Sequence, residues 1–261
     1  MSLIREDDVI TSVADALQFI SYYHPKDYLD ALSSAYAAEP TGAAKDAIAQ
    51  ILANSRMCAE GHRPICQDTG IAVVFARVGQ SVQFQGSRTL QQMVDDGVRK
   101  AYTDTGNRLR ASIVRDPVFA RTNTGDNTPA VLHVELVPGD KLELEVAAKG
   151  GGSENKATFT TLNPSASVVD WVLESVLDMG AGWCPPGILG IGIGGSAEKA
   201  MLLAKQSLLA PIDMASLKAR GPQSKLEELR IEICDKVNAL GIGAQGLGGL
   251  TTVLDVKILD Y

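Results

Sequence analysis

The sequence predicts an α+β protein in which a helical N-terminal layer is followed by a mixed sheet with crossing helices. Apolar residues recur at helical spacing over the first 60 residues, and runs of β-branched residues begin at residue 71. The chain has 261 residues, 45% of them hydrophobic and 21% charged, which is typical of a folded protein with a sizeable core. We expect one large domain over residues 1–261, either undivided or in two lobes, with a helical part over about 1–60 and an α/β part over about 61–261.

Three short amphipathic helices are predicted in the helical part. The first has apolar residues at helical spacing, namely Val9, Val13, Leu17 and Ile20. Pro25 favours the start of the second helix, because a proline in the first turn loses no helical hydrogen bond. Thr41 is a suitable N-cap for the third.

Strands and helices alternate after residue 71. Residues 71–79 and 81–85 are β-rich, and residues 88–104 predict a helix. Two alternating runs, 131–137 and 142–148, flank a Pro-Gly-Asp-Lys turn and predict a β-hairpin.

The last hundred residues predict three further helices and two strands. One helix covers about 165–179, and a glycine-rich strand then leads to Ser196, a suitable cap for the next helix. Residues 217–225 indicate a loop, 227–241 a helix that ends at a glycine, and 251–259 a strand.

Charge and composition exclude several classes of protein. The 24 Lys and Arg residues against 31 Asp and Glu give a net charge of −7, which argues against general nucleic-acid binding. No apolar run reaches the ~18 residues that a membrane span needs, and the start lacks the pattern of a secretory signal. Four cysteines are too few for a disulfide scaffold. They favour reduced thiols and a cytoplasmic location.

Four polar, glycine-bearing segments interrupt the apolar elements, at 63–70, 148–157, 182–195 and 240–252. Loops of this kind collect binding residues, although each segment alone is also compatible with a simple turn. Cys66 precedes an Asp-Thr-Gly turn, where a thiolate could bind a metal or act as a nucleophile; the alternative is a small buried hydrophobic residue.

A second cysteine and a glycine cradle carry the same kind of chemistry. Cys184 precedes two prolines, which favours a rigid loop that presents the thiol. Only tertiary folding would bring it to a ligand shared with Cys66. The backbone amides of residues 150–152 can approach a carboxylate or phosphate closely, and Lys149 and Lys156 flank them. A turn with two solvated lysines is the alternative.

Other residues allow weaker interpretations. The glycines of residues 190–195 lack the spacing of a dinucleotide fingerprint, so they favour close packing of a helix on a strand. Arg108 and Arg110 suit a bidentate carboxylate clamp, or are a solvated pair. Cys58, His62 and Cys66 are four apart, but the intervening proline and the missing fourth ligand disfavour zinc.

Two side chains are predicted to be structural. His133 lies in an alternating run and is predicted to be a strand residue, and Cys234 is predicted to pack in a helix core.

Three motifs together resemble the N-terminal domain of class I fumarases and the α subunits of two-subunit fumarases and of L-tartrate dehydratase. They are CQDTG at 66–70, KGGGSENK at 149–156 and CPPG at 184–187, followed by a glycine-rich strand. The similarity runs over nearly the whole chain. It implies an enzyme of the tricarboxylic acid cycle that reversibly hydrates fumarate to (S)-malate with a [4Fe-4S] cluster, whose open iron acts as a Lewis acid.

The resemblance also implies roles for particular residues. Cys66 and Cys184 would be two of the three cluster ligands, and Asp68 a candidate for proton transfer. The implied substrate contacts are Gln67, Asp68, Arg110, Gly152, Asn155 and Lys156.

Further expectations concern the rest of the enzyme. The resemblance places the third cysteine ligand beyond Tyr261, and it implies a C-terminal domain or separate β subunit, and a homodimer. We therefore expect a truncated chain that holds iron poorly and is inactive alone. Alternatives are a dehydratase of L-tartrate or of another small dicarboxylate such as mesaconate, a nucleotide-binding module, and a non-catalytic assembly module.

Overall fold

The computed structural model describes residues 2–261 and has the predicted α+β class. The chain forms two compact units. The first unit contains residues 2–23 and Ser55–Gly151, and the second contains His24–Asn54 and Gly152–Tyr261. In chain order the elements are β1 Ser2–Arg5, α1 Glu6–Tyr22, α2 Lys26–Ala38, α3 Ala43–Gly61, β2 Ile71–Gly79, β3 Val82–Gln85, α4 Leu90–Tyr102, β4 Val114–Arg115, β5 Thr122–Asn123, β6 Val131–Val137, β7 Leu142–Lys149, α5 Gly151–Glu154, α6 Val168–Met179, β8 Gly187–Ile193, α7 Ala197–Ser207, α8 Met214–Arg220, α9 Lys225–Ala239, a 3₁₀ turn at Ala244–Gly246 and β9 Val253–Asp260.

A three-stranded mixed sheet is the main β structure of the first unit. β2 is central, with β6 parallel on one side and β7 antiparallel on the other. The central strand is almost wholly apolar and is buried from Ala72 to Ala76. Two smaller pairs, β1 with β3 and β4 with β5, complete the strands of this unit.

The predicted hairpin of residues 131–148 is wrong, because β2 lies between β6 and β7. The connecting turn crosses the end of β2, where the amide of Gly79 donates to the carbonyl of Lys141 at 2.9 Å. A Cβ on Gly79 would lie 2.6 Å from the carbonyl oxygen of Gly139, so only glycine allows this crossing. The almost wholly apolar β2 takes the central position, where residues 72–76 are buried.

Helices α1 and α4 form the core of the first unit together with the sheet. Val13 and Leu17 of α1 and Val94 and Val98 of α4 are buried in one cluster. The helices approach closely at Gly97, where a Cβ would lie 2.7 Å from that of Val13. This packing holds α4 in place. Its last residue, Tyr102, contacts the candidate site described below.

The second unit is built on the parallel pair β8 and β9. Helix α7 lies against β8, and a Cβ on Gly192 would lie 1.9 Å from the carbonyl oxygen of Ala200. This contact confirms the interpretation of these glycines as close helix–strand packing. Buried residues of α6, α9 and β9 form one core, and α2 with residues 43–54 forms another around Leu32 and Ile48.

Several local predictions need correction. Strand β1 was not predicted, because its four residues, half-buried and exposed in alternation, gain their pairing only from the distant β3. Residues 217–220 belong to α8 rather than to a loop, since Met214 and Leu217 are buried in the core. Ser196 precedes α7, but its hydroxyl donates to Glu198 instead of capping the helix.

The three predicted N-terminal helices are confirmed. Among residues 2–261, no helix has both the length and the apolar character to cross a bilayer.

Candidate functional site

The turn that carries Cys66 lies between α3 and β2. The side chains of Cys66 and Gln67 are exposed, and the cysteine thiol donates to the Gln67 Oε1 at 3.3 Å. The amide of Asp68 donates to the same sulfur at 3.5 Å. The turn therefore brings a thiol, an amide side chain and a carboxylate together.

Backbone amides orient the Asp68 carboxylate. Its Oδ1 accepts from the amide of Gly70 at 3.1 Å, and its Oδ2 accepts from the amide of Gly151 at 2.7 Å. Within residues 2–261 no lysine, arginine or histidine forms an ion pair with Asp68. The carboxylate is thus held in place without a cation beside it.

Arg110 is attached to this turn through its backbone. The Thr69 hydroxyl donates to the Arg110 carbonyl at 2.8 Å and accepts from the Arg110 amide at 2.9 Å. The Arg110 side chain is exposed, and no described residue pairs with its guanidinium. Arg108 is also exposed and unpaired among residues 2–261. The Arg110 guanidinium is free to bind a carboxylate.

Two buried residues that sequence reasoning did not single out support this arrangement. The hydroxyl of Tyr102, at the end of α4, contacts the carbonyl oxygens of Thr69 at 2.7 Å and Gly70 at 3.1 Å. Burial raises the pKa of Tyr102 to about 12. Asn127 also donates to the Gly70 carbonyl. The polar stretch TGDNTP at 124–129, directly before the predicted strand at 131–137, is the one sequence signal that could have pointed to Asn127.

In the second unit, the glycine cradle lies against the segment that leads to Cys184. A Cβ on Gly182 would lie 2.5 Å from Cε of Lys156, and one on Gly152 would lie 3.7 Å from the Gly182 carbonyl oxygen. Asn155 is exposed, and neither its side chain nor the Lys156 ammonium has a hydrogen-bond partner among the described residues. Gly152, Asn155 and Lys156 are therefore available for a ligand.

Cys184 is exposed in the loop between α6 and β8, as its two following prolines predict. Its φ is +60°, a left-handed conformation that non-glycine residues rarely adopt. Trp183 beside it is buried, and its indole donates to the carbonyl of Gly180 at 3.0 Å. The Pro185 carbonyl accepts from the backbone amide of Gln245 at 2.6 Å and from its side chain at 2.9 Å. Buried neighbours thus hold a loop whose thiol faces solvent.

The other two cysteines are buried. Cys58 donates to the Pro64 carbonyl at 3.6 Å, and Cys234 lies in the core of the second unit as predicted. Burial raises the pKa of the Cys234 thiol to about 11, which makes it a poor metal ligand. His62 stacks on Tyr22, with 4.7 Å between ring centres.

Two further histidines have aromatic contacts. His133 is in strand β6 as predicted and stacks on Phe75, and burial lowers the pKa of His24.

The side chains that could act as metal ligands show whether the described residues suit an iron–sulfur cluster. Exposed thiols in rigid loops are suitable thiolate ligands, and Cys66 and Cys184 both meet that requirement. Within residues 2–261 no group of three or more His, Cys, Asp or Glu side chains could hold a metal ion. Each of these two exposed thiols, taken by itself, suits thiolate ligation, and the described residues do not gather a set of metal ligands.

Comparison with known proteins shows the family. The family model described as fumarate hydratase (Fumerase) matches residues 10–261. The chain belongs to this family. It is also 34% identical over 253 residues to a protein of Methanocaldococcus jannaschii named "Putative L(+)-tartrate dehydratase subunit alpha", covering 94% of this chain and 86% of that protein. The L(+)-tartrate dehydratase subunits alpha of Escherichia coli and Shigella sonnei are each 32% identical over 249 residues, covering 94% of this chain and 80% of those proteins.

Membership of the fumarate hydratase family makes the protein a member of an iron–sulfur hydro-lyase family. The structure of this family member brings Cys66, Gln67, Asp68 and Arg110 together in the first unit. In the second unit, Gly152 and Lys156 lie beside Gly182, two residues before Cys184.

Proposed function

We propose that this chain is the alpha-type component of a hydro-lyase that reversibly adds water to fumarate to give (S)-malate. The observation that carries the proposal is the arrangement of Asp68. Its carboxylate is held by two backbone amides, beside an exposed thiol and next to the segment of an unpaired arginine. The reaction needs a proton-transfer group and an anion-binding group, and the thiol is a proposed cluster ligand.

Asp68 is the proposed proton-transfer residue. Dehydration of malate removes a proton from the carbon next to one carboxylate, while the hydroxyl leaves from the neighbouring carbon. Hydrogen bonds from Gly70 and Gly151 fix the carboxylate for that transfer. A positioned general acid–base group contributes about 10²- to 10⁴-fold in rate.

The cationic and polar groups are the proposed substrate contacts. The Arg110 guanidinium matches a carboxylate in a bidentate geometry, and Gln67 lies beside Asp68. Gly152, Asn155 and Lys156 supply a backbone approach, an amide and an ammonium without an ion-pair partner among the described residues. A dianionic substrate suits these groups.

Cys66 and Cys184 are the proposed thiolate ligands of an iron–sulfur cluster. When bound, a cluster with an open iron supplies a Lewis acid for the substrate hydroxyl. A three-thiolate set requires one cysteine from outside the described residues. We propose that a C-terminal domain or beta-type subunit completes the enzyme, consistent with the alpha-subunit names of the relatives. We further propose a homodimer, and a cytoplasmic location, which the small number of cysteines favours.

L-tartrate is the second candidate substrate, and one observation favours it. The relatives that are 32–34% identical are named as tartrate dehydratase subunits. Tartrate differs from malate by one hydroxyl, so discrimination depends on a polar group that pairs with that hydroxyl.

Purified protein with its partner subunit, prepared without oxygen, tests the proposal. Fumarate should disappear with formation of (S)-malate, and malate should give fumarate in the reverse direction. Faster conversion of L-tartrate to oxaloacetate would select the second candidate. Absence of turnover with fumarate, malate and L-tartrate would contradict both.

A further inference from the structure

We propose that Asn127 is a positioning residue that fixes the turn carrying Asp68 against the segment carrying Arg110. The inference rests on the proposed function, because Asp68 and Arg110 are the groups that would act on the substrate. Asn127 is 0% exposed, so its side chain acts through these two residues and does not touch the substrate.

The Asn127 side chain bridges the two segments directly. Its Oδ1 accepts from the amide of Ser112 at 2.7 Å and from that of Ile113 at 3.3 Å. Its Nδ2 donates to the carbonyl of Gly70 at 3.0 Å. One end of the side chain therefore holds the backbone two residues after Arg110, and the other holds the backbone two residues after Asp68.

Tyr102 reinforces the same turn from helix α4. Its buried hydroxyl lies 2.7 Å from the Thr69 carbonyl oxygen and 3.1 Å from that of Gly70. The Gly70 carbonyl thus faces two donors, Tyr102 and Asn127. Because buried polar networks are rigid when every group is satisfied, the two residues act as one clamp on the turn.

The segment that carries Asn127 is itself anchored to α4. The Asp126 carboxylate accepts from Nε of Arg99 at 2.9 Å, and the Asp95 carboxylate accepts from the amide of Ala130 at 2.8 Å. Both Asp95 and Arg99 belong to α4, which is packed in the core. The clamp is therefore anchored to a helix that packs in the core of the first unit.

Asparagine is the side chain that this position requires. It needs an acceptor for two amides and a donor for one carbonyl, which asparagine supplies in one planar group. Its φ is +62°, a conformation that asparagine tolerates better than most residues. In Asn127→Asp an oxygen replaces the donor and faces the Gly70 carbonyl, while the acceptor for Ser112 remains. That substitution breaks the link to the Asp68 turn alone.

The test uses the full chain with its partner subunit. Asn127→Asp is compared with Tyr102→Phe, which removes only the hydroxyl, and with Val94→Ala, which weakens the same core without touching the clamp. We expect kcat of Asn127→Asp to fall about 100-fold, since small misplacement of reacting groups costs that much. KM should rise by less than about tenfold, because Asp68 acts on the reacting carbon. Tyr102→Phe should show a smaller loss in the same direction.

Hydrogen exchange gives a readout that does not depend on activity. The amides of Gly70 and Arg110 should exchange about tenfold faster in Asn127→Asp and unchanged in Val94→Ala. An Asn127→Asp protein that keeps the kcat of Val94→Ala, or unchanged exchange at both amides, overturns the inference. If the wild-type complex has no turnover, the proposed function fails, and exchange alone then decides whether Asn127 holds the turn.

Discussion

The Asp68 carboxylate accepts a hydrogen bond from the Gly151 amide, with 2.7 Å between Oδ2 and the nitrogen. The two residues are 83 positions apart in the sequence. The bond joins the turn before β2 to the segment after β7. Strands β2 and β7 are paired in one sheet. A backbone donor gives the carboxylate a fixed direction that does not depend on a mobile side chain.

Asp68→Asn should abolish most activity without loss of the fold. The amide cannot take up a proton, so kcat should fall about 100-fold or more. Asp104→Asn is the matched control, because Asp104 is exposed and also accepts from the amide two residues on, at 2.7 Å. Steady-state kinetics and thermal melting check both variants. Equal effects of the two substitutions on kcat would contradict the role of Asp68.

Arg110→Ala should raise KM for the dicarboxylate. Charged hydrogen bonds are worth about 1.5–3 kcal/mol, so the rise should be about 10- to 100-fold. Arg110→Lys should lie in between, since an ammonium lacks the planar fork of a guanidinium. Arg108→Ala, which removes a neighbouring exposed arginine, should leave KM unchanged. A KM that changes with Arg108 and not with Arg110 would assign the carboxylate contact to Arg108 instead.

Two glycines of the second unit should differ sharply when changed to alanine. Gly192→Ala places a Cβ 1.9 Å from the Ala200 carbonyl oxygen and should lower the free energy of unfolding by about 3 kcal/mol. Gly152→Ala meets no atom closer than 3.7 Å and should change it by about 0.5 kcal/mol or less. Urea unfolding measures both. Similar stabilities for the two variants would refute the close-packing interpretation of β8 and α7. Although Gly152→Ala should leave stability nearly unchanged, it should reduce substrate affinity.

A partly buried ion network in the second unit makes the stability of the fold depend on pH in the acidic range. Asp213 and Asp255 face Arg230 and Lys257, with 2.6 Å between Lys257 Nζ and an Asp213 oxygen. Burial alone would raise the pKa of Asp213, but the hydrogen bonds from Arg230 and Lys257 outweigh it and lower that pKa from 3.8 to about 2.

Asp213→Asn should therefore reveal this contribution in a pH titration of stability. A carboxyl whose pKa is lowered by folding stabilises the fold above its unfolded pKa. This contribution is lost as the pH falls from 3.8 to about 2. The melting temperature of the wild type should exceed that of the variant above pH 4, and the difference should shrink toward pH 2. A difference that is constant over this range would contradict the linkage.

Local sequence patterns predicted most of the helices and strands but not which strands pair with each other. Helices α1 to α3 follow from periodicity within a few residues, because each buries one apolar face, and β2 follows from its nearly continuous apolar run. The pairing of β6 and β7 around β2 could not be predicted from the turn between them. Strand order depends on which strand is most completely buried, and that is a property of the whole sheet.

The candidate site was likewise predicted only in part from local sequence patterns. The residues that bear the chemistry, such as Cys66 and Asp68, stand in motifs that local reading can detect. Tyr102 and Asn127 support them from distant parts of the chain, and each looks like an ordinary helix or loop residue in the sequence. Their contacts are hydrogen bonds to backbone atoms, which leave no pattern of residue types.

Iron and sulfide content of cysteine variants is the most direct measurement of the central claim, that Cys66 and Cys184 are cluster ligands. The protein and its partner subunit are reconstituted without oxygen, and the cluster absorbance and iron content are compared with hydration of fumarate. Cys66→Ala and Cys184→Ala should lose the cluster and the activity, whereas Cys58→Ala and Cys234→Ala should keep both when folded. Wild-type iron content and turnover in Cys66→Ala and Cys184→Ala would contradict the account.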